Sequence, residues 1–318
     1  MKLIIQIPCY NEEETLPITF KDLPKRIDKI DSIEYLVIND GSTDQTKKVA
    51  KELGIHHIVS FPQNRGLARA FTAGMDAAVR LGADIIVNTD ADNQYNGHDI
   101  KKLVGPILDN KADIVIGDRQ VEGIAHFSFI KKKLQKFGSK TVSKLANVDV
   151  PDTTSGFRAF SREAALCLNV ITNFTYTLET IIQAGKKKLS VTSVPIKTNE
   201  KTRESRLFKS IPSYIFKSVQ TMMKVDIMYA PIKFFSIFGI ILFTSGLILS
   251  IRFLYYFLIG QGTGHVQSVI LAGTLLLSGY LTTLIGIIAH LLSINRILIE
   301  NSLYRLKRLE INQSTNKK

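Results

Sequence analysis

The 318-residue chain is 45% apolar, which excludes wholesale disorder and leaves room for one large domain or two smaller ones. Its formal net charge of +13 calls for an anionic partner: nucleic acid, a phosphorylated substrate or a membrane face. Two distant cysteines, Cys9 and Cys167, lack any partner at zinc-ligand spacing, so a zinc module is excluded and both read as buried thiols of a reducing compartment.

The apolar opening, residues 2–8, is too short for a signal peptide and turns polar at 11–14, which keeps the N-terminus in the cytoplasm. From residue 1 to about 205, short β-rich runs at 3–7, 35–38, 85–88 and 113–116 alternate with segments of helical period. That alternation predicts an α/β fold with a mostly parallel sheet covered by helices, whose ligands bind beyond the strand C-termini.

Three strand ends carry polar turns. The first reads Pro8-Cys9-Tyr10-Asn11-Glu12. The second reads Asn39-Asp40-Gly41-Ser42-Thr43-Asp44: Gly41 permits a tight turn, Ser42 or Thr43 can cap the next helix, and Asp40 is left to bond a base or ribose. The plainer alternative has Asp40 and Asp44 simply building the turn and cap. The third is Asn88-Thr89-Asp90-Ala91-Asp92-Asn93-Gln94. Residues two apart in extended chain share a side, so Asp90 and Asp92 can present oxygens to one Mg²⁺ or Mn²⁺, with Gln94 adding a neutral ligand. Such ions are shared between one or two carboxylates and substrate phosphates, which suits a nucleotide diphosphate.

Beyond Tyr229, residues 234–259 and 266–292 are long apolar stretches interrupted by Arg252 and His290, each exceeding the roughly 20 residues that cross a bilayer. The connection 260–265 has no Lys or Arg, whereas 201–233 and 296–318 are rich in both, so the positive-inside rule predicts two cytoplasmic termini. Before the first span, Leu207, Phe208, Ile211, Ile215, Phe216, Val219 and Met222 recur at helical spacing among Lys209, Lys217 and Lys224. They predict an amphipathic helix, lying in the lipid interface or packed on the preceding domain. With the positive residues beside the membrane, the anionic partners become a lipid bilayer and a phosphorylated substrate, and nucleic acid is not expected.

Together the 8–12 turn, the Asn-Asp-Gly-Ser turn and the Asp-Ala-Asp segment resemble the family 2 glycosyltransferases. The resemblance implies a nucleotide-diphospho-sugar transferase fold, Rossmann-like, in which Pro8, Tyr10, Glu12 and Asp40 hold the nucleotide and Asp90 and Asp92 bind metal and diphosphate. Further on, Asp152-Thr153-Thr154-Ser155-Gly156-Phe157-Arg158 is similar to a stretch of the polyprenyl-phosphate glycosyltransferases, the branch that includes dolichyl-phosphate mannose synthases. By that resemblance Arg119 is the acceptor-side arginine and joins Asp90 and Asp92 as catalytic. Lys131, Ser155 and either Arg203 or Arg206 would meet phosphate, and Asp152 and Glu179 would orient the acceptor.

The implied reaction is inverting transfer of a hexose to polyprenyl phosphate at the cytoplasmic face of a cell inner membrane. The donor is UDP-glucose by preference, with GDP-mannose the second choice, and a homo-oligomer is allowed. The expected organisation is a transferase domain over 1–206, an amphipathic helix over 207–231, two spans within 232–293 and a basic cytoplasmic tail over 294–318. A processive polysaccharide synthase is disfavoured, since the chain has no tryptophan for an acceptor Gln-x-x-Arg-Trp motif and few spans. Two alternatives stand beside the main reading: a membrane-bound transferase for another lipid or glycan acceptor, and a non-catalytic membrane scaffold with a transferase-like domain.

Overall fold

A computed structural model describes residues 1–120, 129–172, 174–199 and 211–315. The chain divides into two units, one formed by Met1–Met222 with Leu303–Lys318 and the other by Met223–Ser302.

The first unit is built on a seven-stranded sheet of order β3-β2-β1-β4-β6-β5-β7. Its strands are β1 (Lys2–Cys9), β2 (Ser32–Asn39), β3 (His57–Ser60), β4 (Ile85–Asn88), β5 (Ile114–Asp118), β6 (Arg158–Ser161) and β7 (Val191–Pro195). The central strands are covered on both faces, so they read as continuous apolar runs: Leu3, Ile4, Ile5 and Ile7 are fully buried, as are Ile85, Ile86 and Val87. Helices α1 (Leu16–Asp22), α2 (Thr46–Glu52), α3 (Leu67–Arg80), α4 (Ile100–Leu108), α5 (Phe129–Ala146), α6 (Arg162–Cys167) and α7 (Tyr176–Lys186) complete the layers. The strand order reverses at β1, between β2 and β4, and ligands of such sheets bind beyond the strand ends at that point.

One strand departs from the βαβ pattern. β6 runs antiparallel between β4 and β5, with Asn88 opposite Arg158 and Ile85 opposite Ser161. This register puts the start of β6 beside the end of β4, so loop 152–157 and loop 89–94 lie at the same sheet edge. A short strand followed directly by α6 gave no periodicity from which to read its direction.

The helix before the spans, α8 (Ile211–Tyr229), has two different faces. Ser218, Thr221, Met222 and Val225 are buried, while Phe216, Val219 and Met223 are exposed. In the second unit, α9 (Pro231–Leu258) and the spanning part of α10 (Val266–Thr315) have mean hydropathies of 2.3 and 1.9 over their most apolar windows, of which only 11% is buried. Core helices of a water-soluble domain would bury that surface; here it faces outward, as lipid-contacting helices do. The two helices approach closely where side chains are absent. A Cβ at Gly239 would fall 2.4 Å from Thr283 Oγ1, and one at Gly279 would fall 2.6 Å from the Phe243 backbone nitrogen. Residues 294–315, within the expected basic tail, are helical and continue α10, where no Pro or Gly interrupts them.

Candidate active site

Three loops meet at the C-terminal edge of β1, β2 and β4. Asn11 and Asn93, each at φ 55°, turn the first and third loops through the left-handed region that asparagine tolerates. The first two loops are tied together: Asn11 N donates to Ser42 Oγ at 3.0 Å, Thr43 N donates to Asn11 Oδ1 at 2.8 Å, and Glu12 N donates to Thr46 Oγ1 at 2.8 Å. Pro8 is buried in β1 opposite Ile38, whereas Tyr10, just past the strand, is 39% exposed. Glu12 is buried and accepts from Thr15 Oγ1 at 2.6 Å.

Asp40 is not left uncommitted as expected. Its Oδ1 accepts from Arg65 N at 2.7 Å, and its Oδ2 accepts from Gly66 N at 2.9 Å and Asn64 Nδ2 at 3.1 Å. It therefore fixes the turn leading into α3. Burial pushes its carboxyl above the usual range, against the opposing pull of those amides. Gly41 has no substitute, since φ is +66° and a Cβ would stand 2.2 Å from the Gln63 carbonyl carbon. Asp44, rather than Ser42 or Thr43, holds the first turn of α2, accepting from Thr46 N at 2.9 Å and from Glu13 N at 3.1 Å.

At the third loop Asp92 Oδ1 accepts from Gln94 N at 3.2 Å. Loop 152–158 lies against Asp90: a Cβ at Gly156 would stand 3.2 and 3.3 Å from the two Asp90 carboxylate oxygens and 2.9 Å from the Tyr176 hydroxyl. Beneath them runs a buried polar chain. Gln6 Nε2 donates to Asn88 Oδ1 at 2.9 Å, Asn88 Nδ2 donates to Tyr176 Oη at 2.8 Å and Gly156 O at 2.9 Å, and Gly156 N donates to Tyr95 Oη at 3.0 Å. Burial pushes the Tyr95 hydroxyl up to about 12, so it stays protonated.

Arg119, just past β5, grips Asp152 with Nε at 2.7 Å and Nη2 at 3.0 Å, and its Nη2 also donates to Thr154 Oγ1 at 2.7 Å. Its Nη1 is not used in this grip. Burial alone would raise the Asp152 carboxyl, but the Arg119 charge and hydrogen bonds outweigh it and hold the group below the usual carboxylate range. Gln135 of α5 braces the pair, donating to Thr154 Oγ1 at 2.9 Å.

Ser155, expected at a phosphate, is fully buried and accepts from Phe157 N at 3.4 Å; Thr154 stands at the Arg119 side instead. Glu179 is fully buried too, its oxygens accepting from Ile171 N, Thr172 N and Thr172 Oγ1, so it braces the chain at 171–172 rather than orienting an acceptor. Arg203, Arg206 and the Lys131 side chain lie outside the described residues. Asn199, shortly before that segment, is tied to the third loop: its N donates to Gln94 O at 2.9 Å and its Nδ2 to Asn93 O at 3.0 Å.

Sequence reasoning missed Asn88, Tyr176, Tyr95, Thr154 and Gln135. Only the first left a signal: Gln6 and Asn88 are amides at matching register in two otherwise apolar strands.

The residues suit a divalent cation. Among the described residues no group of three His, Cys, Asp or Glu forms a closed cage, so a cation here would have two carboxylates and would draw its other ligands from water and substrate. Asn93 Oδ1, in the same loop, is a buried acceptor with no hydrogen-bond partner among the described residues.

A family model described as Glycosyl transferase family 2 matches residues 4–168. The dolichol-phosphate mannosyltransferase of Pyrococcus furiosus is 31% identical over 269 residues, covering 81% of this chain and 72% of its own. A UDP-N-acetylglucosamine–dolichyl-phosphate N-acetylglucosaminyltransferase of Methanococcus voltae is 31% identical over 60% of this chain and 83% of its own. Among solved structures, glucosyl-3-phosphoglycerate synthase of Mycobacterium tuberculosis, in complex with Mn²⁺, UDP-glucose and phosphoglyceric acid, shares the fold with a TM-score of 0.54. It is 20% identical and covers 70% of this chain and 80% of its own. The chain thus belongs to glycosyl transferase family 2, and is a glycosyltransferase of the branch whose relatives work on polyprenyl and dolichyl phosphates.

Proposed function

We propose that the chain transfers a hexose, glucose by preference and mannose as second choice, from a nucleotide diphosphate sugar to a polyprenyl phosphate, with inversion at the anomeric carbon. The observation that carries this reading is the contact through Gly156, where the loop gripping Arg119 lies against Asp90. Donor-side carboxylates and an acceptor-side guanidinium thereby share one edge of the sheet.

Asp90 and Asp92, with Gln94, would hold Mg²⁺ or Mn²⁺, and the buried Asn93 Oδ1, unpartnered among the described residues, suits a metal-bound water or a sugar hydroxyl. Such a cation, when bound, neutralises the departing diphosphate. Pro8, Tyr10, Glu12 and Asp40 form the nucleotide side, Asp40 chiefly by shaping the turn into α3. Arg119, oriented by Asp152, offers Nη1 to the acceptor phosphate, with Arg203, Arg206 and Lys131 as further cations.

In the reaction an acceptor phosphate oxygen attacks the anomeric carbon. The bond from that carbon to the diphosphate oxygen breaks, and the nucleoside diphosphate leaves with the electron pair. A phosphate monoester with second pKa near 6 is already largely dianionic at neutral pH, so no strong base is required. The demand is for cations that let two anions meet, which matches this residue set.

The acceptor's phosphate sits at headgroup depth, and the two apolar helices and the exposed apolar face of α8 support a membrane-bound enzyme. Lys and Arg flanking the spans favour cytoplasmic termini. Incubating the purified full-length protein with polyprenyl phosphate and a panel of radiolabelled nucleotide sugars, with and without EDTA, tests the reading. Lipid-linked product from UDP-glucose that EDTA abolishes is expected. No product from any donor sinks the proposal, and undiminished product in EDTA removes the metal from it.

A further inference from the structure

The loop that carries Asp90 and Asp92 is held at several points along its length. Thr89 N donates to Gln6 O at 3.1 Å and Thr19 Oγ1 donates to Ala91 O at 2.9 Å, which fixes its start. Its far end is held by the chain that follows β7. Ile196 N donates to Asp118 O at 2.9 Å, Lys197 N donates to Asp99 Oδ2 at 2.6 Å, and Thr198 forms an antiparallel bridge with Tyr95. Asn199 comes next and meets three successive carbonyls of the loop. Its N donates to Gln94 O at 2.9 Å, and its Nδ2 donates to Asn93 O at 3.0 Å and, more weakly, to Tyr95 O at 3.4 Å.

The bond to Asn93 O acts on Asp92. A peptide group is planar, so the Asn93 carbonyl and the Gln94 N–H are opposite ends of one rigid unit. Asn199 Nδ2 holds the first end, and the second donates to Asp92 Oδ1 at 3.2 Å. Asn93 itself sits at φ 55°, a conformation that persists where the surroundings over-determine it. A tie that served the fold alone would not need the side chain, since Asn199 N and the bridge at Tyr95 already join the two segments.

We propose that Asn199 is a positioning residue for the cation site: through the Asn93–Gln94 peptide it sets the orientation of the Asp92 carboxylate and of Gln94. The inference rests on the cation assigned above to Asp90 and Asp92, and its test reads binding before turnover.

Mn²⁺ is titrated into the full-length wild type, Asn199→Ala and Asn199→Ser in the presence of UDP or of GDP, with free Mn²⁺ read by EPR and thermal unfolding measured alongside. The midpoint rather than the amount bound is compared, so a partly unfolded sample does not imitate the result. Both variants keep the backbone bond and lose the amide. Each should bind Mn²⁺ about fivefold more weakly, the weight of one neutral hydrogen bond. The KM for the nucleotide sugar should rise with it, and the KM for polyprenyl phosphate should not change. Thr198→Ala, which removes an exposed side chain and keeps the bridge, should match wild type. A lowered Tm with a wild-type Mn²⁺ midpoint makes Asn199 a residue of the fold alone and overturns the proposal. A raised KM for polyprenyl phosphate at a wild-type midpoint assigns it to the acceptor side and overturns it equally. Wild type that takes up no Mn²⁺ with either nucleotide removes the cation itself, an outcome distinct from failure of Asn199 alone.

Discussion

Gly156→Ala asks whether the two halves of the site are as closely joined as the geometry states. The added methyl would stand 3.2 and 3.3 Å from the Asp90 oxygens and 2.9 Å from the Tyr176 hydroxyl, so one neighbour must give. Tyr176 is poorly placed to do so. It is fully buried, stacked on Phe71 at 3.9 Å between ring centroids, and bonded to Asn88 at 2.8 Å. Asp90, partly accessible at the loop end, yields more easily and moves by a few tenths of an ångström.

Overpacking of this kind costs about 1–3 kcal/mol of stability. Since a displacement of about 1 Å can cost a hundredfold in rate, a smaller one should lower kcat by roughly tenfold. The assay is transfer to polyprenyl phosphate across a Mg²⁺ titration, paired with thermal unfolding. A tenfold lower kcat with a raised metal midpoint is expected. Gly138→Ala in α5, where nothing lies within 4 Å of the added carbon, is the control and should stabilise by up to about 1 kcal/mol. Wild-type kcat, metal midpoint and Tm in Gly156→Ala would refute the claim that Asp90 and loop 152–158 are in contact.

Asp92→Asn should abolish turnover while the bond from Gln94 N survives with an amide oxygen, read by transfer assay beside thermal unfolding; retained turnover would move the cation elsewhere. Asp152→Asn leaves Arg119 buried without its counter-charge and should cost about 3–5 kcal/mol, read by denaturant unfolding. The same pair has a pH signature. Asp152 is depressed in the fold, so its contribution is fully present above the unfolded carboxylate value of about 3.9 and is lost as pH falls through the lower folded value. The stability gap between wild type and Asp152→Asn should therefore be constant above about pH 5 and close below about pH 4. A gap that instead widens on acidification would refute the ion pair.

The sheet and the loops at β1, β2 and β4 were legible because parallel strands buried on both faces leave uninterrupted apolar runs ending in polar turns. The direction of β6 was not, since four residues carry no period that tells parallel from antiparallel. That one strand decides the site, because its register brings Gly156 to Asp90. Residue type also misled where burial decides the role: Ser155 and Glu179 look chemically apt, yet both are spent inside the fold. Arg158 is a similar case, fully buried and donating to the carbonyls of Ser155, Thr177 and Thr153. A sequence names a donor or an acceptor, and only packing tells whether a backbone group has already taken it.

The central claim is that a lipid phosphate is the nucleophile. It is tested most directly by offering the reconstituted enzyme polyprenyl phosphate or polyprenol of the same length with UDP-glucose, and determining the linkage of the product by mass spectrometry and ³¹P NMR. The account predicts a hexosyl phosphodiester from the phosphate and nothing from the alcohol. A glycosylated polyprenol, or a diphosphate-linked sugar, would contradict it.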